Sequence, residues 1–290
     1  MIPSYPEFVP LSLELKADLH PYLSLTVDGV SEFTFSNLFL FRSRYQYTVS
    51  AAMNQTFIIS GAYGGKKFFM TPCAAPRPDV LDALFETHDY WKGISDSVLS
   101  PVRTQLEQMN IHVTEDRDNF DYLYKRTELA ALSGKKYHKK RNLVHAFINA
   151  YSYEQRLLTP ETVAPAFAIL AQWRQEKGAE GDYIATKEAL EHLADLNMKG
   201  AVYFVNGEPA GFCLGESLAK GRMFAIHFEK GLESYKGIYQ FMNQAFATAL
   251  PRFFTYINRE QDLGDEGLRQ AKMTYRPSAF VRKYRGIKEH

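Results

Sequence analysis

Hydrophobic and polar positions alternate most regularly between residues 201 and 249. Two apolar runs, 201–205 and 210–214, flank Asn206-Gly207, the dipeptide that best fits the tight turn of a β-hairpin. Residues 222–228 then alternate strictly, which predicts a third strand with Phe224, Ile226 and Phe228 on one face and His227 on the other. From 238 to 249 an apolar residue returns every three or four positions, as on one helical face. The segment predicts three antiparallel strands followed by a helix.

The loop between this third strand and the helix, residues 229–236, is the first candidate site. A strand that ends in a loop and leads into a helix start presents free backbone N–H groups and the positive end of the helix dipole. Such a place suits an anion or a developing oxyanion. The sequence therefore predicts substrate contacts at the helix start, from Tyr235, Lys236, Gly237 and Tyr239.

The rest of the chain indicates the same order of elements twice. In the second half, Thr159-Pro160-Glu161 has the pattern of a helix start, and a second helix is predicted to begin at Thr186 and to stop at Gly200. The first half mixes helices and strands in a similar order, without similarity at the level of residues. We therefore predict an α+β (mixed α/β) fold with a central, mostly antiparallel sheet in each half. The predicted divisions are an N-terminal domain at 1–126, a basic helical linker at 127–150 and a C-terminal domain at 151–290.

The linker contains the most basic run in the chain. Its cationic residues are Lys135, Lys136, Lys139, Lys140 and Arg141. One interpretation is a solvated helix, since charge runs usually face water. The other is a phosphate contact that binds nucleic acid or an anionic headgroup.

Composition narrows the class of protein. The chain has 290 residues, 46% hydrophobic and 23% charged, with a net charge of +1, which is typical of a folded protein and argues against a surface that coats nucleic acid. Its two cysteines, Cys73 and Cys213, have no metal-ligand spacing, so no metal site is predicted. Neither a signal peptide nor an apolar run of membrane-spanning length is visible. These features predict a cytoplasmic protein, and they leave its oligomeric state open.

Polar residues at the ends of two strands are the catalytic candidates. His227 and Glu229 end the third strand, and Asn258, Arg259, Glu260 and Asp262 follow the apolar strand predicted at 253–257. Acyl transfer needs N–H donors for an oxyanion, a proton acceptor and tight positioning. We predict His227, Glu229, Asn258 and Asp262 as catalytic, and Arg259 and Glu260 as substrate-binding. The structural alternatives are a sheet histidine for His227, a helix cap for Asp262 and mutual pairing of Arg259 with Glu260.

Three segments carry a resemblance to a known family. Residues 31–38 (SEFTFSNL), 135–142 (KKYHKKRN) and 256–264 (YINREQDLG) resemble a family related to the C-terminal domain of phosphatidylglycerol lysyltransferases. The order of elements is similar to the GNAT acyltransferase fold. The resemblance implies two tandem GNAT-like domains, and transfer of an aminoacyl group from aminoacyl-tRNA to a lipid or peptide acceptor. The lipid-modifying enzymes of that kind carry a transmembrane region, which is not found in this sequence.

Coenzyme A is the alternative donor that the GNAT resemblance implies. Those acetyltransferases bind its pyrophosphate at a Gln/Arg-x-x-Gly-x-Gly/Ala loop, which corresponds here to residues 234–239. Gly237 fits this pattern, whereas Ser234 and Tyr239 depart from it. Three functions therefore stand as hypotheses: an acyl- or aminoacyltransferase that uses tRNA and a small amine, hydroxyl or lipid acceptor, a coenzyme A-dependent N-acyltransferase, and a catalytically silent binding module.

Overall fold

Two seven-stranded mixed sheets form the centre of the molecule. The computed structural model describes residues 1–52, 56–178 and 181–289. The strands of the first sheet, in their order across it, are β1 (Val9–Pro10), β2 (Thr48–Ala52), β3 (Thr56–Tyr63), β4 (Lys66–Met70), β5 (Tyr90–Ser95), β14 (Lys283–Lys288) and β6 (Ile111–Glu115). Those of the second sheet are β8 (Tyr153–Leu157), β9 (Lys199–Val205), β10 (Glu208–Leu218), β11 (Met223–Gly231), β12 (Tyr256–Asn258), β7 (Asp121–Lys125) and β13 (Ala279–Val281).

Helices cover both sheets and separate them. They are α1 (Lys16–Leu23), α2 (Phe35–Leu40), α3 (Arg42–Tyr45), α4 (Pro78–Phe85), α5 (Asp96–Leu99), α6 (Arg103–Gln108), α7 (Arg126–Ala131), α8 (His138–Ala150), α9 (Ala164–Lys177), α10 (Tyr183–Glu191), α11 (Ile238–Ala249) and α12 (Glu266–Met273). A mixed α/β fold is thus confirmed. None of the helices in the described ranges has the length and apolar character needed to cross a bilayer.

The two sheets share one pairing pattern. In each, four antiparallel strands are followed by a parallel neighbour, β5 beside β4 and β12 beside β11. The sixth position is filled by a strand from the other half of the chain. β14 lies in the first sheet between β5 and β6, and β7 lies in the second between β12 and β13. The halves thus repeat a topology and exchange one strand each, while the predicted division at 127–150 stays a prediction.

The apolar core continues from one sheet to the other. Its largest cluster combines Val49 and Phe68 of the first sheet with Phe204 and Phe212 of the second, together with residues of α1, α2, α9 and α10. Smaller clusters fill the outer faces, under α4 to α6 on the first sheet and under α7, α8 and α11 on the second. Because burial of apolar surface is the main stabilising term in folding, this shared core fixes the position of one sheet relative to the other.

The hairpin prediction is confirmed. Asn206 and Gly207 join β9 to β10 with φ of 52° and 86°, the left-handed values that the predicted turn requires. The helix predicted at 238–249 is confirmed as α11, and Phe241, Met242 and Phe246 of its apolar face are buried.

Three predicted helix boundaries are wrong. Thr159-Pro160-Glu161 forms a turn with Thr162, whose hydroxyl donates to the Leu157 carbonyl at 2.7 Å, and α9 begins only at Ala164. Thr186 lies inside α10, where its hydroxyl donates to the Asp182 carbonyl. Gly200 does not end a helix. It lies in β9, where an added Cβ would come within 2.2 Å of the Cys213 carbonyl oxygen of β10.

Candidate functional site

A cleft of about 970 Å³ lies between the two halves of the chain. It opens where the parallel strands β11 and β12 stop pairing, after Ala225 and Asn258. One wall comes from β11 and from the loop after β12, and the other from α2, α3 and β5. Ligands of open α/β sheets bind where neighbouring strands diverge at their carboxyl ends. This position makes the cleft the candidate site.

A β-bulge at His227 shapes the first wall. Leu214 of β10 pairs with Phe228 and Gly215 pairs with Ile226, so that His227 is the extra residue on β11. A bulge moves the side chains that follow it to the opposite face of the strand. Phe224 and Ile226 therefore pack in the outer core, whereas Phe228 packs in the central core. The prediction that all three share a face is wrong for this reason.

The His227 ring is held between two carboxylates. Its Nδ1 lies 2.7 Å from Glu260 Oε1, and its Nε2 lies 3.1 Å from Glu216 Oε1. Burial opposes a charge on the ring, but Glu260 and Glu216 outweigh it and raise the pKa of His227 to about 10. A doubly hydrogen-bonded imidazolium has no lone pair to offer. His227 therefore lines the cleft as a fixed cation that orients Glu260, which also accepts from Asn37 Nδ2 at 3.1 Å.

Because the His227 ring is charged in the folded chain, we expect the free energy of unfolding to depend on pH. Because the pKa of His227 rises from 6.5 in the unfolded chain to about 10 in the folded one, its contribution is complete below about pH 6.5 and is lost as the pH rises towards 10. Each pKa unit corresponds to about 1.4 kcal/mol, so the loss amounts to several kcal/mol. Urea unfolding from pH 6 to 10 measures it. A His227→Gln variant should show a flatter profile; a profile parallel to the parent would contradict the assignment.

Glu229 is the carboxylate that reaches the cleft from β11 beyond the bulge. Its side chain is 10% exposed, and its oxygens accept from Asn243 Nδ2 of α11 at 2.6 Å and from Arg259 Nη2 at 2.7 Å. Burial raises the pKa of Glu229, while the Arg259 guanidinium opposes the rise. A carboxylate with an elevated pKa and a fixed orientation is suited to accept a proton.

Hydrogen bonds from Lys272 hold the loop after β12 in place. Lys272 of α12 donates to three consecutive carbonyls, those of Arg259 at 2.7 Å, Glu260 at 3.1 Å and Gln261 at 2.5 Å. Burial lowers the pKa of Lys272 to about 8. Glu260 has a φ of 55°, and its N–H donates to Asn258 Oδ1 at 2.7 Å. Lys272 and Asn258 therefore fix the backbone that presents Arg259 and Glu260 to the cleft.

Asp262 is enclosed below this loop. Its carboxylate accepts from Arg269 Nε at 2.9 Å, from the Tyr122 hydroxyl at 2.5 Å and from the Gly264 N–H at 2.9 Å. Burial disfavours the charge, but the Arg269 and Tyr122 hydrogen bonds outweigh it and hold the pKa of Asp262 well below its usual range. The helix cap of α12 is the neighbouring residue Asp265, whose carboxylate accepts from the Leu268 N–H at 2.7 Å.

A buried network ties the cleft wall to both sheets. Lys283 of β14 pairs with Glu32 and, at 2.7 Å, with Asp121 of β7. Asp121 also accepts from the Ser31 N–H at 2.8 Å and from Asn258 Nδ2 at 3.2 Å. Segments 31–38 and 256–264, two of the three that carry the family resemblance, therefore meet at this wall.

The structure brings some of the predicted residues together and separates others. Those that line the cleft are His227, Glu229, Tyr239, Arg259, Glu260 and Lys140. Those that do not are Asn258, Asp262, Tyr235, Lys236, Gly237, Lys135, Lys136, Lys139 and Arg141. Cleft residues that sequence reasoning missed are Glu32, Asn37, Arg44, Tyr45, Tyr47, Lys92, Asn243 and Lys272. Of these, only Glu32 and Asn37 had a signal in the sequence, because they lie in the 31–38 segment.

Helix α8 covers the start of α11, where the sequence predicted a site for an anion. An added Cβ at Gly237 would lie 2.9 Å from the Leu143 carbonyl oxygen, and the Phe147 and Phe241 rings stack at 4.4 Å. The Tyr239 hydroxyl turns back to donate to the Gly231 carbonyl at 3.0 Å. The helix start therefore packs against protein.

The residues of the basic run lie in three different environments. Lys135, Lys136 and Lys139 are exposed, although Lys136 pairs with Glu128 at 2.6 Å. Arg141 donates to the Leu132 carbonyl at 2.5 Å and so stabilises the turn between α7 and α8. Lys140 lies over the Tyr275 ring at 4.2 Å, at the cleft wall. The basic surface thus continues into the cleft. No group of three or more His, Cys, Asp or Glu side chains within the described ranges is placed to hold a metal ion.

Comparison with known proteins adds a family match. Residues 24–286 match the family described as "Phosphatidylglycerol lysyltransferase, C-terminal". An uncharacterised protein of Mycoplasmoides gallisepticum is 23% identical over 201 residues, which are 67% of this chain. The chain spans 63% of the length of that relative.

Two solved structures are similar over nearly the whole chain. A conserved protein of unknown function from Bacteroides thetaiotaomicron has a TM-score of 0.88 at 29% identity and covers 100% of both chains. The C-terminal domain of a candidate lysylphosphatidylglycerol synthetase from Agrobacterium fabrum has a TM-score of 0.65 at 14% identity, and the match covers 96% of this chain and 93% of that one. At that identity the second likeness concerns the fold alone.

Proposed function

Because this chain belongs to the family of phosphatidylglycerol lysyltransferase C-terminal domains, as its sequence resemblance predicted, we propose that it transfers an aminoacyl group from aminoacyl-tRNA to an amine or hydroxyl acceptor in the cleft. One observation carries the proposal. Two of the segments that bear the resemblance meet at the cleft wall, where Asn37 and His227 hold Glu260 in place. The same wall presents Glu229 and Arg259 to the cavity.

The residues have distinct roles in this proposal. The acceptor attacks the ester carbonyl carbon of the donor, and a carbon–nitrogen or carbon–oxygen bond forms. The ester bond between this carbon and the ribose oxygen breaks, and the ribose oxygen leaves as a hydroxyl with the proton that Glu229 took from the acceptor. Glu229 takes the proton of the attacking group, and the Arg259 guanidinium holds Glu229 in position. His227, Asn258 and Asp262 act as positioning residues. Lys140 is a cation that faces the negative charge of the donor.

Coenzyme A is less well supported as the donor. A pyrophosphate needs free N–H groups at the start of α11, and α8 packs against this place. The Tyr239 side chain adjoins it, and its hydroxyl donates to Gly231.

A transfer assay tests the proposal. The protein is incubated with a mixture of labelled aminoacyl-tRNAs and with phosphatidylglycerol vesicles, small amines or a cell extract as acceptors. The expected result is label in an acceptor, in an amount that rises with protein concentration. Label that stays on tRNA with every acceptor, while aminoacyl-tRNA binds, would overturn transfer and favour a silent binding module.

Binding of tRNA to the basic run is tested separately. Replacing Lys135, Lys139 and Lys140 by alanine should weaken tRNA binding and lower the slope of log affinity against log salt by about 2 to 3, because each lysine–phosphate contact releases counterions. Arg141 is left in place, since it stabilises the turn before α8. The matched control replaces three exposed lysines elsewhere, Lys66, Lys199 and Lys220. Equal slopes for the two triple variants would contradict a role of the basic run in tRNA binding.

A further inference from the structure

On the wall that the first half contributes to the cleft, three side-chain donors have no hydrogen-bond partner among the residues that the structure describes. Lys92 of β5 is only 7% exposed, yet its ammonium forms no ion pair or hydrogen bond with any residue in the described ranges. The hydroxyls of Tyr45 and Tyr47 likewise have no hydrogen-bond partner there, although both residues line the cleft. Lys92 lines the cleft, so its ammonium can donate hydrogen bonds to a molecule that binds there. Such a group is suited to an anionic ligand.

Aromatic packing brings the side chains of Lys92, Tyr45 and Tyr47 together. The Lys92 ammonium lies 5.0 Å from the centre of the Tyr45 ring and 5.2 Å from that of Phe68. The Tyr45 and Tyr47 rings are 5.3 Å apart. Burial lowers the pKa of Lys92 and raises those of Tyr45 and Tyr47, which keeps both hydroxyls protonated as donors.

The charges around Lys92 decide the kind of ligand. Glu32 and Asp116 attract the ammonium, whereas Lys283 and Arg285 repel it. Asp116 pairs with Arg285 at 2.9 Å, whereas Glu32 shares Lys283 with Asp121. Arg44, 5.8 Å from the Tyr45 ring, adds another positive charge to this wall. The three carboxylates Glu32, Asp116 and Asp121 balance three of the four cations in this group. One negative charge of a ligand would balance the fourth, whereas a second would lie uncompensated near Glu32.

We propose that Lys92, Tyr45 and Tyr47 form a binding site for a singly charged oxyanion, a carboxylate or a phosphate diester. Lys92 donates to one oxygen through a charge-assisted hydrogen bond, and the tyrosine hydroxyls donate to the remaining lone pairs. Binding at this site does not depend on aminoacyl transfer.

Ligand-observed NMR with two probes tests the site in the full chain. Acetate represents a planar carboxylate and dimethyl phosphate a tetrahedral diester, and competition between the two shows which is preferred. Binding should weaken at least about tenfold in Lys92→Met, because a hydrogen bond to a charged group contributes about 1.5 to 3 kcal/mol. Tyr47→Phe, which loses only a hydroxyl, should weaken it less.

Stability measurements separate loss of binding from loss of folding. Lys92→Met removes a cation that forms no ion pair or hydrogen bond within the described ranges, so its thermal midpoint should stay close to that of the parent chain. Lys199→Met, at an exposed site on β9, should bind both probes as the parent does. Binding of neither probe by the parent, or equal affinity in Lys92→Met and Lys199→Met, would overturn the proposal.

Discussion

Replacing Glu229 by glutamine is expected to lower the rate of aminoacyl transfer by about 10²- to 10⁴-fold, the usual contribution of a positioned proton acceptor. Glutamine keeps the shape of the side chain and can still accept from Asn243, but it cannot take a proton from the attacking acceptor. Single-turnover transfer of a labelled amino acid from tRNA measures the chemical step directly. Affinity for aminoacyl-tRNA should change little.

A matched variant and a pH profile make this expectation specific. Glu208→Gln changes an exposed glutamate at the start of β10, outside the cleft, and should transfer at the parent rate. In the parent chain, transfer should increase with pH through the raised pKa of Glu229, because the carboxylate must be ionised to accept a proton. Glu229→Gln should lose that dependence. An unchanged rate in Glu229→Gln would exclude Glu229 as the proton acceptor.

Local structure could be predicted from the sequence wherever residues within a few positions determine it. The turn at Asn206-Gly207 and the apolar face of α11 depend on residues within a few positions, and both are confirmed. The exchange of β7 and β14 depends on pairing across most of the chain, as between Lys283 and Ser95. No periodicity within a segment encodes such a partner, so the exchange could not be predicted.

The residues of the candidate site could likewise be predicted only where a local pattern indicates them. His227, Glu229, Arg259 and Glu260 were found because they end strands of one half of the chain, and all line the cleft. Lys92 lies in β5, in the other half of the chain, and only the fold brings it to the same cavity. The role of His227 was also hidden, because a bulge is not visible in an alternating pattern and its carboxylate partner Glu216 lies on the neighbouring strand.

Lys283→Met should destabilise the fold by about 3 to 5 kcal/mol, because removing one partner of a buried ion pair leaves the other partners charged and unpaired. Lys283 is fully buried, and its ammonium is shared by Glu32 and Asp121, whose side chains are 5% and 0% exposed. Burial opposes the charge on Lys283, but Asp121 and Glu32 outweigh it and raise its pKa. The free energy of unfolding in urea measures the loss.

The lysine at the other end of the same strand, Lys288, provides the control for this loss of stability. Lys288 pairs with Asp82 at 2.6 Å, but its side chain is 24% exposed and that of Asp82 is 50% exposed. A partly exposed pair contributes about 0 to 1 kcal/mol, so Lys288→Met should have little effect. Adding Asp121→Asn to Lys283→Met should recover part of the stability, because one unpaired carboxylate is then removed. Equal losses in Lys283→Met and Lys288→Met would mean that the buried network does not join the two sheets energetically, and the cleft wall would need another support.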